Sequence, residues 1–199
     1  ACAPPVQLSD STLMIPSYGN IGRSKISAAV VHRSEDGGAT WSDMVIMARG
    51  RPQTRHYHEP VVLELAPGHL LGMLRFADNG QSPRGIFWQN ESLDNGKTWS
   101  TPKPTHVQSG ACPRLLTLRD GRLLLTYGRR FEPYGIYASF SEDKGKTWSE
   151  TAWLLRPTTD GDQGYTSSLE MGDGRIFTTS YAKNMHGITG ITGTFWELP

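Results

Sequence analysis

The sequence is poor in cysteine, in long apolar runs and in charge of one sign, and each shortage excludes a class of protein. Two cysteines in 199 residues are too few for the disulfide framework of a small secreted domain. No apolar run approaches the roughly 18 residues that a membrane-spanning helix needs. The 20 basic and 19 acidic residues almost cancel, so there is no basic surplus to attract nucleic acid or an anionic membrane. We therefore expect no nucleic-acid partner and no membrane insertion.

The two cysteines leave one pairing open. Cys112 stands at the entry of an apolar strand, whereas Cys2 stands near the start of the sequence. A disulfide between them is an alternative, but we favour the interpretation of Cys112 as a small buried side chain.

The sequence also lacks the spacing of apolar residues that a helix requires. No long stretch carries apolar residues at i, i+3, i+4 and i+7. Short apolar runs instead alternate with turns rich in Gly, Pro, Asn and Asp, and the chain contains 22 glycines and 13 prolines. This pattern is typical of β-strands joined by tight turns. We predict an all-β fold.

Three near copies of one motif, Ser-x-Asp-x-Gly-x-Thr-Trp, organise the chain. They cover residues 34–41, 92–99 and 141–148, and their tryptophans are 58 and 49 residues apart. Such periods suit a four-stranded propeller blade with its loop. The Asp can accept hydrogen bonds from backbone N–H groups, the Gly can take the left-handed conformation, and the Trp can pack between adjacent sheets. We interpret these motifs, called Asp boxes below, as structural and not as ligand contacts.

A second repeated element consists of two apolar runs joined by a glycine turn. It recurs at residues 59–75, 113–127 and 165–181, and Asp-Gly between two apolar runs is a strong hairpin signal. We assign each hairpin to strands A and B of a blade and each Asp box to the connection between strands C and D. The first blade lacks a visible inner strand. The predicted blades cover about residues 12–48, 58–106, 112–155 and 163–197.

These motifs resemble the sialidase superfamily over nearly the whole chain. The most specific stretches are residues 123–130 (LLLTYGRR), 133–136, 162–168 and 191–196. The resemblance implies a β-propeller of the six-bladed sialidase type, with about three and a half blades in a single partial domain over residues 1–199. It also implies export, because such proteins are often periplasmic or extracellular.

The resemblance further implies a glycosidase that removes terminal sialic acids. Its chemistry uses a tyrosine nucleophile, an activating glutamate, an acid/base aspartate and three arginines that hold the substrate carboxylate. Tyr165 resembles the nucleophile, Glu59 the activating glutamate and Arg75 one arginine. Arg129 or Arg130 resembles another arginine. The remaining arginine and the aspartate would belong to blades that precede those in this chain.

The residue types lead to the same site on chemical grounds, because A strands start and B strands end at one face of a propeller. Arginine matches a carboxylate with a bidentate fork, and a phenol with a pKa near about 10 needs a neighbouring base to become a nucleophile. We therefore predict an acidic glycan as ligand. The predicted catalytic residues are Tyr165 and Glu59, and the predicted binding residues are Arg75, Arg114, Arg129, Arg130, His58 and Tyr181.

Two other functions remain open. A non-catalytic glycan-binding propeller or an inactive fragment is indicated by Ala182, where members of the resembled family often carry a glutamate. A uronate polysaccharide lyase would use His58 as base together with a tyrosine. His56 and His58 lie two residues apart, and we expect only one of them to point inward. A third metal ligand is lacking nearby, so no metal or other cofactor is expected.

A half propeller would expose unpaired sheet faces and a strand edge, which is a liability for a soluble chain. We therefore expect either a missing N-terminal half or a second copy of the chain to complete the propeller.

Overall fold

The computed structural model describes residues 3–22, 26–42, 44–51, 56–77, 85–108 and 110–198. Within these ranges the regular elements are all β-strands, which confirms the all-β prediction. The same ranges contain no helix long and apolar enough to span a membrane. The strands form four antiparallel sheets. The chain divides into two compact units, residues 1–105 and 106–199, and each is described by itself.

The first sheet of the first unit contains a strand that the sequence did not indicate. Its strands, in spatial order, are β1 (Val6–Gln7), β2 (Leu13–Asn20), β3 (Ser27–Ser34) and β4 (Val45–Arg49). We expected the inner strand to be absent, but β1 occupies that place and pairs Val6 with Met14. Two residues are too few to show the alternation by which strands are recognised, so the sequence pattern missed this strand.

The second sheet follows the predicted blade pattern. Its strands, in spatial order, are β5 (His56–Ala66), β6 (His69–Ala77), β7 (Ile86–Ser92) and β8 (Lys103–Gln108). A core of buried side chains, including Met14, Val31, Tyr57 and Leu70, joins this sheet to the first one. Each fully buried aliphatic side chain contributes about 1.5–3 kcal/mol, so this core holds the unit together.

The second unit contains two further sheets. In chain order its strands are β9 (Arg114–Thr117), β10 (Leu123–Arg129), β11 (Gly135–Ser141), β12 (Trp153–Pro157), β13 (Gly164–Glu170), β14 (Ile176–Lys183) and β15 (Thr189–Trp196). The first sheet has the spatial order β12-β11-β10-β9, and the second has the order β13-β14-β15. Leu118, Leu124, Phe140 and Ile176 form a buried core between them.

The Asp boxes connect the third and fourth strands of their sheets, as predicted. In the last box, Asp143 accepts hydrogen bonds from the backbone N–H of Thr147 at 2.8 Å and from the Thr147 hydroxyl at 2.6 Å. The Ser141 hydroxyl donates to the same carboxylate and accepts from the Gly145 N–H. Burial raises the pKa of Asp143, but these hydrogen bonds outweigh it and lower the pKa to about 2. The boxes therefore act as local staples.

The tryptophans of the three boxes do not share one environment. Trp148 is buried and Trp99 packs against the core of the first unit, in line with the prediction. Trp41 is 40% exposed, so the prediction that the tryptophan packs between adjacent sheets is wrong for the first box. Its indole N–H donates to the Gly38 carbonyl at 3.1 Å, which holds the ring over its own turn.

Candidate active site

Several predicted site residues stand at the same distance along the chain from the turn of their hairpin. Each turn has a glycine in the left-handed conformation, and these are Gly68, Gly121 and Gly174. The ninth residue before each turn glycine is Glu59, Cys112 and Tyr165, respectively. The seventh residue after each turn glycine is Arg75, Gly128 and Tyr181, respectively. Four of the predicted site residues thus occupy two repeated positions of the hairpin.

Glu59 and Tyr165 also share an unusual backbone conformation. Their φ angles are +48° and +49°, and each lies where a strand pairing shifts register. Left-handed φ is uncommon for residues with a side chain and costs about 1–3 kcal/mol. Such strain and β-bulges concentrate at functional sites. Both predicted catalytic residues therefore lie on bulges that redirect their side chains.

In the first unit, Glu59 and Arg75 contact each other. Arg75 donates through Nη1 to Glu59 Oε1 at 3.0 Å, and Glu59 is only 1% exposed. We predicted these residues as a base and as a carboxylate clamp, and both roles stay predictions. The ion pair fixes the Arg75 side chain, and a guanidinium has five N–H donors, so Arg75 can also donate to a ligand.

His58 lies beside this ion pair. It is opposite Arg75 in the strand pairing, and its ring is 5.1 Å from the ring of Tyr18. Burial, followed by the positive charge of Arg75, lowers the pKa of His58 below its usual 6.5. At neutral pH the imidazole is therefore uncharged and can accept a proton.

The prediction that only one of His56 and His58 points inward is wrong. Their rings are stacked, with centroids 6.0 Å apart. The reason is geometric, because residues two apart on a strand point to the same face.

Tyr18 is a residue of this group that sequence reasoning missed. It is 43% exposed and lies on β2, in the first sheet. The turn before β2 has Ser11 in the left-handed conformation, and Tyr18 is the seventh residue after it. Tyr18 therefore occupies the same hairpin position as Arg75 and Tyr181. Counting from the turn would have found it.

In the second unit, Arg130 and two tyrosines form a compact group. Arg130 donates through Nη2 to the Tyr181 hydroxyl at 2.7 Å, and its guanidinium lies 5.9 Å from the ring centroid of Tyr165. The two tyrosine rings are 5.8 Å apart. Tyr165 is 41% exposed, so its phenol is accessible to a ligand.

Charged residues extend this group along the loop before β13. The Tyr181 hydroxyl donates to Asp162 Oδ1 at 3.1 Å, and Lys183 lies within 3.3 Å of Asp162 and 3.2 Å of Asp160. Hydrogen bonds from Lys183 and Tyr181 lower the pKa of Asp162. The Tyr181 phenol is thus held between a guanidinium and an ionised carboxylate.

Arg129 and Arg130 point to different places, because consecutive residues of an extended chain face opposite sides. Arg129 lies over the rings of Phe131 and Tyr137 and donates to the Glu132 carbonyl at 3.3 Å. Of the two alternatives, Arg130 is the one that hydrogen-bonds to Tyr181 and lies over Tyr165.

Arg114 lies at the start of β9. It pairs with Thr126, and both line a small cavity with Ser168. Its predicted role in binding stays a prediction.

Cys112 is buried, with its Sγ 3.6 Å from the Pro113 carbonyl oxygen. Its burial agrees with the favoured interpretation of Cys112 as a small buried side chain. Cys2 lies outside the described residues, and so does the alternative of a disulfide with Cys112. Within the described ranges, no group of three or more His, Cys, Asp or Glu side chains is arranged to hold a metal ion.

The proposed partnership of Glu59 with Tyr165 joins residues of the two separate units. It stays a prediction, and so does the assignment of Tyr165 as nucleophile.

Comparison with solved structures identifies the fold. The chain is similar to a protein of unknown function from Dyadobacter fermentans, with 23% identity and a TM-score of 0.81, over 98% of this chain and 52% of that one. It is similar to the NanB sialidase of Streptococcus pneumoniae, with 14% identity and a TM-score of 0.69, over 98% of this chain and 30% of that one. It is also similar to an α-L-arabinanase of Penicillium chrysogenum, with 16% identity and a TM-score of 0.70, over 98% of this chain and 62% of that one.

These similarities confirm the β-propeller fold and, at such identities, the fold alone. The chain spans about half the length of the Dyadobacter protein and 30% of the NanB sialidase. The six-blade count of the complete propeller stays a prediction. A search of curated proteins finds no match.

The repeats themselves identify the family. The Asp boxes, the hairpins and the sialidase-type neighbours agree with the resemblance inferred from the sequence. The model of the BNR repeat-like domain matches residues 2–178, which is most of the chain. This chain is therefore a member of the BNR repeat-like domain family.

Proposed function

We propose that this chain carries the nucleophile and part of the carboxylate clamp of a sialidase-like exo-glycosidase that acts on a terminal carboxylated sugar, sialic acid or a related one. The group formed by Arg130, Tyr181 and Tyr165 carries this proposal. It combines an immobilised guanidinium with an accessible phenol. Charge-assisted hydrogen bonds from arginine are the strong means of binding a carboxylate.

The chemistry would proceed in two steps. The Tyr165 oxygen attacks the anomeric carbon as its proton passes to a base, and the bond to the leaving oxygen breaks while an acid protonates that oxygen. Water then cleaves the tyrosyl-sugar bond, and the phenol regains its proton. A neutral phenol suits this role, because a carboxylate nucleophile would repel the carboxylate of the sugar. The family resemblance assigns the base to Glu59.

Hydrolysis of 4-methylumbelliferyl N-acetylneuraminide, run beside a panel of 4-methylumbelliferyl uronides, tests the proposal. Tyr165→Phe should lower kcat by at least about 100-fold, because it removes the nucleophile. Tyr137→Phe is the matched control, since it removes a phenol of the same unit whose hydroxyl donates to the Pro133 carbonyl. Unchanged turnover in Tyr165→Phe would show that the assignment is wrong. Affinity for the sugars without cleavage would instead favour a glycan-binding propeller.

A uronate lyase is the second candidate, and the contact between Tyr18 and His58 favours it. The neutral His58 could remove the proton at C5 of a uronate, while Arg75 binds the carboxylate and a tyrosine protonates the leaving oxygen. This elimination breaks the glycosidic C–O bond and leaves a double bond in the sugar. The product absorbs ultraviolet light.

Digestion of polyuronates, followed by ultraviolet absorbance, separates the two candidates. Absorbance that grows in the parent protein and vanishes in both His58→Gln and Tyr18→Phe would establish the lyase. Absence of any absorbance change would remove this candidate and leave the hydrolase.

A further inference from the structure

We infer that Gln163 is a positioning residue that holds Arg130 in place without neutralising its charge, so that Arg130 is the stronger of the two candidate carboxylate contacts. The inference rests on the proposed function, because it names the residue that prepares the site for a carboxylated ligand.

Gln163 makes two hydrogen bonds to the segment that carries Arg130, one to its backbone and one to the Arg130 side chain. It is fully buried, and its side-chain Nε2 donates to the Arg129 carbonyl at 2.6 Å. Its own backbone carbonyl accepts from Arg130 Nε at 3.2 Å. The amide side chain therefore fixes the loop before β13 to the end of β10, and the same residue receives the guanidinium.

The packing around Gln163 leaves little freedom. A Cβ atom added at Gly128 would clash with Gln163 Oε1 and would lie 2.7 Å from Gly164 Cα. The absence of a side chain at Gly128 thus admits Gln163 and Gly164 close to β10. A guanidinium that is already immobilised loses less conformational entropy when a ligand binds.

The electrostatic setting distinguishes Arg130 from Arg75. Arg75 donates to the buried carboxylate of Glu59 at 3.0 Å, which offsets its charge. The groups that hydrogen-bond to Arg130 directly, the Gln163 carbonyl and the Tyr181 hydroxyl, are neutral. The Asp162 carboxylate acts on Arg130 from the far side of that hydroxyl, at one remove. A ligand carboxylate at Arg130 therefore competes with a carboxylate at one remove, whereas at Arg75 it competes with one in direct contact.

Calorimetric titration of the full chain with N-acetylneuraminic acid and with its neutral methyl ester tests this inference. Gln163→Met keeps the volume and removes the amide, and it should weaken binding of the acid about tenfold while leaving the ester within about twofold. Asn90→Ala is the control, because Asn90 is another buried amide that donates to backbone carbonyls, in the other unit. Equal weakening of acid and ester by Gln163→Met would overturn the positioning role.

A second measurement does not depend on the proposed function. The Arg130 Nε proton, whose NMR signal is identified by its loss in Arg130→Lys, should exchange with solvent at least about tenfold faster in Gln163→Met and in Gly128→Ala. Asn90→Ala should leave that exchange unchanged. An unaltered signal in both test variants would overturn the inference. A faster exchange in a protein that binds neither sugar would sustain the positioning role and refute the proposed ligand.

Discussion

Arg130 donates to the hydroxyl of Tyr181 at 2.7 Å, and that hydroxyl in turn donates to Asp162 at 3.1 Å. This chain of bonds links the end of β10, strand β14 and the loop before β13. Tyr181 therefore orients the Arg130 guanidinium, in addition to any contact that it makes with a ligand.

Removing the hydroxyl should loosen that orientation. We expect Tyr181→Phe to weaken binding of N-acetylneuraminic acid about three- to tenfold, since Arg130 loses an acceptor. Calorimetry is the measurement, with Tyr137→Phe as control. Affinity equal to that of the parent protein would mean that Gln163 suffices to hold Arg130.

The stability of the protein should fall in mild acid because of His58. Its folded-state pKa is lowered, so the unfolded chain binds more protons between that value and about 6.5. The free energy of unfolding should therefore decrease as pH falls from about 6.5 through the folded pKa. Urea unfolding at several pH values should show a smaller decrease in His58→Gln. His186→Gln, on an exposed loop, controls for loss of an imidazole.

The carboxylate of the last Asp box should be needed for stability. Asp143→Asn keeps the size but removes charge-assisted acceptance of the Thr147 and Ser141 bonds, and we expect a loss of about 1 kcal/mol in the free energy of unfolding. Because the folded-state pKa of Asp143 is about 2, the contribution of its carboxylate to stability is present above pH 3.8 and is lost as pH falls through about 2. Urea unfolding at neutral pH and at pH near about 2 checks both parts.

A side chain at Gly128 should disturb the second unit. Gly128→Ala places a Cβ atom 2.7 Å from Gly164 Cα, and overpacking of this kind costs about 1–3 kcal/mol. Gly172→Ala is the matched control, because nothing lies within 4 Å of the added atom. Thermal unfolding should show a lower Tm for Gly128→Ala alone.

The expectation of a second copy can be tested on an apolar row across the last sheet. Leu169, Phe177 and Phe195 are aligned in register, and Leu169 and Phe195 are 61% and 55% exposed. Exposed apolar patches favour association. If this row joins two copies, light scattering should give a mass above 22.0 kDa that Phe195→Ser reduces. A monomeric mass at all concentrations would exclude the homodimer.

The local parts of the fold were predictable from sequence. The Asp boxes and the Asp-Gly turns depend on hydrogen bonds within a few residues. As predicted, Asp143 accepts a hydrogen bond from a backbone N–H of its box, and Gly121 has the left-handed conformation in its turn. The positions of Tyr165 and Tyr181 followed from the hairpins that those turns define. Short-range chemistry of this kind is readable because its partners are adjacent in the sequence.

Features that depend on distant partners were not predictable. The left-handed conformations of Glu59 and Tyr165 arise from register shifts between strands, which leave no mark on residue type. The role of Gln163 depends on bonds to residues 33 and 34 positions away. The choice between Arg129 and Arg130 likewise required the sheet to be built.

The shared hairpin position of Glu59, Cys112 and Tyr165 has a consequence for how such a chain diversifies. One position, counted back from the turn glycine of each hairpin, holds a carboxylate, a thiol and a phenol in turn, and the left-handed conformation accompanies the carboxylate and the phenol. Since the Asp boxes and turns that maintain each repeat lie elsewhere in it, a single codon change at this position can exchange one side-chain chemistry for another while the scaffold persists.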